Sequence, residues 1–228
     1  MELTALVPAY NEAASIRCTV GALLGVPGIK EVVVIDDGST DDTLREAVAA
    51  GARVFRMCRN MGKAVAVLTG SRLARSPYLA LVDADLGESA AEIRHLIKPV
   101  QEGRAAMTVA LFPAGRKRGG LGLAKRLAAW SIYRCSGRLL KEPLSGQRVM
   151  HRELLELLLR SPRGFGLEVA LTLDLLTRGY TILEVETAMC HRERGRDAAS
   201  FMHRGRQCRA ILRELWIRRH LLFRGRNR

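Results

Sequence analysis

Short apolar runs alternate with segments of helical spacing along the first half of the chain. Apolar runs at 3–7, 31–35, 53–57 and 78–82 are predicted to be strands, and the segments between them carry apolar residues on one helical face. The run at 78–82 has no polar break, as expected of a strand covered on both faces. This alternation predicts an α/β domain with a mostly parallel central sheet.

The second half of the chain alternates less regularly. Its pattern predicts strands at 105–111 and 180–185, a polar interruption at 144–148, and helices at 91–100, 124–140, 153–159 and 169–178. No repeat or linker divides it, so one domain is predicted at 1–202. Arginines then interleave with apolar residues at 203–228. That segment predicts a basic amphipathic C-terminal helix, either packed on the domain or lying on anionic lipid.

Two carboxylates follow the strand predicted at 78–82. Asp83 and Asp85 are separated by one residue, Ala84, and alternate residues of a strand point to the same side. Ligands bind at the carboxyl ends of parallel strands, and a pair of carboxylates suits a hard divalent cation that also binds phosphates. The alternative is a solvated turn, because Asp-x-Asp is a common tripeptide.

Charge and composition narrow the class of partner. The 228 residues carry a net charge of +14, which predicts attraction to an anion. Only 5% of residues are aromatic and no nucleic-acid-binding motif is present, so no nucleic acid partner is expected. No apolar stretch could cross a bilayer, no signal peptide opens the chain, and the five cysteines are scattered. We expect a cytoplasmic protein, and any membrane contact that it makes, at the inner face, would be peripheral.

Four motifs occur in order within the first 85 residues: Val-Pro-Ala-Tyr-Asn-Glu at 7–12, Asp-Asp-Gly-Ser-Thr-Asp-Asp-Thr at 36–43, Asn-Met-Gly-Lys at 60–63 and Asp-Ala-Asp at 83–85. Together they resemble family 2 glycosyltransferases of the GT-A fold. Ser-Gly-Gln-Arg at 145–148 and Gly-Leu-Glu at 166–168 resemble two of its subgroups, the polyprenyl-phosphate sugar transferases and the glucosyl-3-phosphoglycerate synthases. The resemblance implies a single Rossmann-like GT-A domain that transfers a hexose from a UDP- or GDP-sugar.

The resemblance also implies roles for individual residues. Asp83 and Asp85 would bind Mg²⁺ or Mn²⁺, and Asp85 and Glu168 would be catalytic. His191 would be a third metal ligand, the alternative being a lone surface histidine in a basic run. Glu168 would act as a general base for an alcohol acceptor, or would only orient groups if the acceptor is already a phosphate anion. The nucleotide-sugar would be bound by Pro8, Ala9, Tyr10, Glu12, Asp37, Asn60, Lys63, Asp83 and Ala84.

An anionic acceptor is expected, held by Arg116, Gly146, Gln147 and Arg148, since arginine binds oxyanions through paired hydrogen bonds. Polyprenyl phosphate is favoured because the terminal segment interleaves arginines with apolar residues. The alternative is a soluble transferase acting on a small phosphorylated molecule such as phosphoglycerate. Arg148 could instead pair with an acid such as Glu153 and only steady its loop. The sequence leaves open whether the chain forms a homodimer.

Overall fold

A computed structural model describes residues 1–113, 122–158, 166–191 and 212–213. Within these ranges, seven strands form one sheet with helices on both faces. The strands are β1 (Leu3–Ala9), β2 (Ile29–Asp36), β3 (Arg53–Arg56), β4 (Tyr78–Leu81), β5 (Met107–Leu111), β6 (Arg148–His151) and β7 (Ile182–Glu186). The helices are α1 (Ile16–Leu24), α2 (Thr43–Ala49), α3 (Lys63–Leu73), a 3₁₀ helix (Gly87–Ile93), α4 (Arg94–Gln101), α5 (Gly122–Ser136), α6 (Arg152–Leu158) and α7 (Leu167–Thr177).

The sheet confirms the predicted α/β class. Its strand order is β3-β2-β1-β4-β6-β5-β7. Every neighbouring pair is parallel except the two pairs that β6 makes with β4 and β5. The mostly parallel arrangement follows from the strand–helix alternation of the first half, because each helix returns the chain to the same end of the sheet.

Strand β6 was missed by the sequence pattern, which predicts a polar interruption up to residue 148 and then a helix from 153. The structure instead places Arg148–His151 as a strand between β4 and β5, with Met150 paired to Leu79 on one side and Met107 on the other. Only two apolar residues stand between Arg148 and His151, so the segment is too short to show a period. Its pairing partners lie far away along the chain.

The two faces of the sheet carry separate apolar cores. In β1, Leu3, Ala5 and Val7 belong to the core under α1, the 3₁₀ helix and α4, while Leu6 belongs to the core under α3, α6 and α7. This alternation is the two-residue period of a strand covered on both faces. Helix α5 packs on α7 and adds a further layer outside the second core.

The predicted boundary at residue 203 stays a prediction. Of the segment predicted as a basic C-terminal helix, only residues 212–213 are described, and they are helical. Among the helices that the structure describes, none has the length and apolar character needed to cross a bilayer.

Register brings the polar loops to one edge of the sheet. Ala9 pairs with Asp36 at the ends of β1 and β2, and Leu6 pairs with Leu81 at the end of β4. The backbone N–H of Val82 then donates to the carbonyl of Leu6 at 3.0 Å. The residues that follow β1, β2 and β4 therefore lie side by side, as the sequence predicts for a ligand-binding edge.

Gly38, in the loop after β2, packs closely against the loop after β3. Its φ is +74°, and a Cβ there would lie 2.7 Å from the backbone carbon of Arg59. Gly38→Ala is expected to lower the free energy of unfolding, measured in urea, by about 2–4 kcal/mol.

Gly103 provides the matched control, because its φ is +70° and nothing lies within 4 Å of a Cβ. Gly103→Ala should cost only the backbone strain, about 1 kcal/mol. Equal losses in the two variants would contradict the steric contact at Gly38.

Candidate active site

The first three strand-end loops are tied together by Asp37. Its backbone N–H donates to the carbonyl of Ala9 at 2.8 Å, and its carboxylate accepts from the N–H groups of Met61 (2.7 Å) and Gly62 (2.8 Å). Asp37 is 4% exposed. One buried carboxylate thus fixes the loop that contains Asn60 relative to the ends of β1 and β2.

A second set of bonds joins the loops after β1 and β2. Asn11 has a φ of +55°, and its side-chain oxygen accepts from the N–H of Thr40 at 2.9 Å. The N–H of Asn11 donates to Ser39 Oγ at 3.0 Å, and that of Glu12 donates to Thr43 Oγ1 at 2.7 Å. These contacts fix the backbone of the Tyr-Asn-Glu motif and leave Tyr10, which is 45% exposed, at the open edge.

Asp83, Asp85 and His191 form a cluster with the character of a metal site. One ligand atom from each lies within 4.8 Å of the other two, and all three side chains are partly buried. Two carboxylates and one imidazole suit Mg²⁺ or Mn²⁺, with the oxygen ligands predominating. The structure therefore brings together the three residues that the resemblance implied as metal ligands, although His191 lies 106 residues after Asp85.

The orientation of His191 depends on two contacts. Its Nδ1 lies 2.8 Å from Asp85 Oδ1, and its ring stacks on Phe112 with centroids 5.0 Å apart. Phe112 directly follows β5, the parallel neighbour of β7. Sequence reasoning missed this stacking partner, because nothing in the spacing of Phe112 and His191 indicates that β5 and β7 are adjacent.

Lys63 lies between two carboxylates. Its Nζ is 2.7 Å from Asp83 Oδ1 and 2.9 Å from Glu168 Oε1, and its side chain is 28% exposed. Burial opposes the charge, but the two carboxylates outweigh it and hold the pKa of Lys63 above its usual value. Burial likewise opposes ionisation of Asp83, yet Lys63 and His191 lower its pKa. Lys63, Asp83 and Glu168 form a charged cluster where the first turns of α3 and α7 meet the loop after β4.

Gly146 is packed against this cluster. A Cβ at this position would lie 2.5 Å from Lys63 Nζ and 2.9 Å from both carboxylate oxygens of Asp83. Next to it, Gln147 is fully buried, and its Nε2 donates to Asp83 Oδ2 at 2.7 Å. The loop before β6 therefore contacts the cluster through its backbone and through one amide.

The structure places Arg148 and Gln147, which are predicted to bind an acceptor, in the interior of the protein. Arg148 is 1% exposed, and its guanidinium donates within the protein to the carbonyls of Ser145 (2.9 Å) and Pro143 (3.2 Å) and to Thr172 Oγ1 (2.9 Å). Burial lowers its pKa to about 10, against the opposing effect of Glu168 and Glu184, so the group stays charged at neutral pH.

The alternative role of Arg148, an ion pair with Glu153, is also wrong in its partner. The carboxylate of Glu153 lies 3.7 Å from His151 Nδ1 instead. Arg148 does steady its loop, but through backbone carbonyls and a hydroxyl on α7. A motif alone cannot distinguish this buried arginine from one that faces a ligand.

The other predicted residues that the structure describes lie at or near the same edge of the sheet. Pro8 is half-buried and lines a small cavity together with Lys63, Asp83, Gly146 and Glu168. Ala9 and Ala84 are buried, and the carbonyl of Ala84 accepts from Thr19 Oγ1 at 2.9 Å. Asn60 is exposed and Glu12 is half-buried. Arg116 lies outside the described residues.

Comparison with known proteins places the chain among glycosyltransferases. The profile of Glycosyl transferase family 2 matches residues 4–167. The chain is 30% identical over 198 residues to Glycosyltransferase AglJ of Haloferax volcanii, which covers 84% of this chain and 64% of that protein. It is 28% identical over 151 residues to the Dodecaprenyl-phosphate galacturonate synthase of Rhizobium johnstonii, covering 61% of this chain and 43% of that protein.

Solved structures of the glucosyl-3-phosphoglycerate synthase of Mycobacterium tuberculosis share the fold. The complex with Mg²⁺ and UDP has a TM-score of 0.80 at 26% identity and covers 95% of this chain and 79% of the other. The complex with Mn²⁺, UDP-glucose and phosphoglyceric acid has a TM-score of 0.76 at 28% identity and covers 93% and 79%. This chain thus spans only part of the length of each of these proteins.

Gly146 gives a direct test of the cluster. In Gly146→Ala the methyl group would occupy the place where Lys63 and Asp83 meet, so the Asp83 carboxylate must move. Affinity for Mn²⁺, measured by calorimetry, is expected to fall by about tenfold or more. The flexible end of Lys63 can shift, so the melting temperature should change little.

The control for Gly146 is Gly21→Ala, because a Cβ on Gly21 meets nothing within 4 Å. That variant should bind Mn²⁺ like the unmodified protein. If Gly146→Ala also kept its Mn²⁺ affinity, Gly146 would not be needed to position Asp83.

Arg148→Met tests the bracing role. Loss of the guanidinium leaves the carbonyls of Ser145 and Pro143 without their hydrogen-bond donor. The free energy of unfolding is therefore expected to fall by about 2–4 kcal/mol. Arg148→Lys, which keeps the charge but not the fork, should lose nearly as much. Arg72, exposed on α3, supplies the control Arg72→Met. An Arg148 variant of unchanged stability but weakened acceptor binding would restore the original prediction.

Proposed function

The chain belongs to Glycosyl transferase family 2, and from that premise we propose that it transfers a hexose from a UDP- or GDP-sugar to an anionic acceptor, with polyprenyl phosphate favoured. The observation that carries the proposal is the grouping of Asp83, Asp85 and His191 within 4.8 Å at the ligand-binding edge of the sheet. Family membership alone would not provide a place for the diphosphate of a donor.

The cofactor of the proposed reaction is Mg²⁺ or Mn²⁺, held by Asp83, Asp85 and His191. The donor set fits such an ion, because it offers two hard oxygen ligands and one imidazole. A divalent cation offsets the negative charge that develops on a nucleoside diphosphate as the sugar leaves. The related synthase of Mycobacterium tuberculosis has been solved with Mg²⁺ and UDP, and with Mn²⁺ and UDP-glucose.

The nucleoside part of the donor is proposed to lie across the loops after β1, β2 and β3. Asp37 positions these loops through backbone N–H groups, and each of its oxygens keeps a second lone pair for a ribose or base donor. Tyr10 is exposed at this edge, where its ring can pack on a base. The remaining proposed donor contacts are Pro8, Ala9, Glu12, Asn60, Lys63, Asp83 and Ala84.

The acceptor is proposed to approach from the side of α7 and the loop before β6. Glu168 on α7 is paired with Lys63 at 2.9 Å. An acceptor that is already a phosphate anion needs no strong base, so Glu168 would orient Lys63 and the acceptor. Gly146 borders the small cavity that Lys63 and Glu168 also line. With Arg148 buried, Arg116 is the remaining predicted arginine for the acceptor.

Two relatives favour different anionic acceptors. The name of the Rhizobium johnstonii synthase indicates a dodecaprenyl phosphate, whereas the Mycobacterium tuberculosis synthase was solved with phosphoglyceric acid. The second candidate function is therefore transfer to a small phosphorylated acceptor. We favour polyprenyl phosphate because of the arginine-rich, apolar sequence at 203–228.

The test is an acceptor panel with labelled UDP- and GDP-sugars and Mg²⁺ or Mn²⁺. Label in the organic phase with a polyprenyl phosphate supports the favoured acceptor, and an anionic aqueous product with phosphoglycerate supports the second. Asp85→Asn should lower turnover by about 10²–10³-fold, because a carboxylate ligand becomes an amide.

The control variant for the panel is Glu88→Gln, an exposed carboxylate three residues away. It should turn over like the unmodified enzyme, and chelation of the metal should abolish turnover in both. Transfer to neutral sugars alone, or full turnover of Asp85→Asn in chelator, would overturn the proposal.

A further inference from the structure

Helix α5 presents two large aromatic side chains to solvent. Trp130 and Tyr133 are 55% and 56% exposed, and their spacing of three residues puts them on one face of the helix. Beyond the end of the helix, Leu139 is 73% exposed. The opposite face is buried, with Ala128 and Ile132 packed in the cluster that joins α5 to α7. The outer face of α5 therefore exposes apolar surface that the described core does not use.

The same segment is strongly basic. Between residues 116 and 141 the sequence has eight lysines and arginines and no acidic residue. Of these, Arg126 and Arg138 are exposed, next to the aromatic pair. Lys125 is paired with Glu142 at 2.7 Å. Exposed aromatic rings flanked by exposed arginines are the composition of a surface that lies at a membrane interface.

We propose that the outer face of α5, defined by Arg126, Trp130, Tyr133, Arg138 and Leu139, docks on an anionic lipid bilayer. The rings of Trp130 and Tyr133 enter the headgroup region, where an amphipathic ring is stable. Arg126 and Arg138 contact the lipid phosphates, and each basic residue near an anionic surface adds to the attraction.

Charge also decides against two other occupants of this face. A second copy of the chain would bring the same basic surface against it. The chain's own residues 192–228 contain twelve arginines and three acidic residues, so they too would add like charge. An anionic bilayer complements both the charge and the apolar rings.

Helix α7 lies between α5 and the candidate active site and contacts residues of both. On one side of α7, Glu168 pairs with Lys63 and Thr172 accepts from Arg148. On the adjacent side of α7, Val169 and Leu173 pack against α5. The inference deepens the proposed function and rests on it, since a bilayer under α5 would hold a polyprenyl phosphate acceptor on the α7 side of the site.

The test is flotation of the full chain with vesicles of phosphatidylcholine alone or with 30% phosphatidylglycerol (about the charge density of an anionic membrane surface). The unmodified protein is expected to float with the anionic vesicles and not with the neutral ones. Trp130→Ser/Tyr133→Ser and, separately, Arg126→Glu/Arg138→Glu should each weaken the partition coefficient by at least about tenfold.

Controls make the same changes on other faces of the protein. Tyr180→Ser removes a ring that is 38% exposed, and Lys98→Glu/Arg104→Glu reverses two exposed charges on the α4 side of the sheet. Both controls should float like the unmodified protein. All variants should keep the turnover of a water-soluble acceptor in the absence of vesicles, which separates loss of docking from loss of the proposed reaction.

Three results would overturn the inference. The first is absence of the unmodified protein from anionic vesicles, and the second is undiminished flotation of both α5 variants. The third is a different occupant: a dimer in sedimentation, or an oligonucleotide complex, that the α5 changes disrupt while flotation is unaffected. If docking is confirmed but no anionic acceptor is glycosylated, the proposed function fails and the membrane surface stands.

Discussion

The structure of the candidate site depends on the ion pairs that Lys63 makes with Asp83 and Glu168. Asp83, Asp85 and Glu168 bring three carboxylates to one sheet edge, and their mutual repulsion would oppose that arrangement without a nearby positive charge. Lys63 supplies one charge from the first turn of α3. The cluster remains net negative, which favours a divalent cation at Asp83, Asp85 and His191.

The neighbouring sequence follows from this electrostatic requirement. Glycine at position 146 leaves room for the cluster, because a Cβ would lie 2.5 Å from Lys63 Nζ and 2.9 Å from both Asp83 carboxylate oxygens and would displace them. Gln147 donates to that carboxylate at 2.7 Å. The guanidinium of Arg148 holds the same loop in place by donating to the carbonyls of Ser145 and Pro143. Three consecutive residues of one motif thus contribute to the cluster: Gly146 leaves room for Lys63 and Asp83, Gln147 donates a hydrogen bond, and Arg148 holds the loop in place.

Sequence reasoning succeeded where the signal was local. The strand–helix alternation predicted the mostly parallel sheet, and Asp83 and Asp85 could be assigned to one edge because their side chains follow a buried strand. It failed where the signal was long-range. The pairing of β6 with β4 and β5, the stacking of Phe112 on His191 and the burial of Arg148 depend on which distant segments become neighbours. Hydrophobic periodicity does not encode that information.

The distribution of charge separates two kinds of surface on one chain. Acidic side chains gather at the ends of β2 and β4, and those after β4, Asp83 and Asp85, form the candidate cation site with His191. Basic side chains gather on α5, whose exposed rings have no use in the described core. Helix α7 lies between the site and α5, with Glu168 paired to Lys63 and Leu173 packed against the buried face of α5. A rigid helix of this kind can fix the distance between a membrane surface and the site, so that the orientation of the docked protein would determine where a lipid-linked phosphate meets the donor.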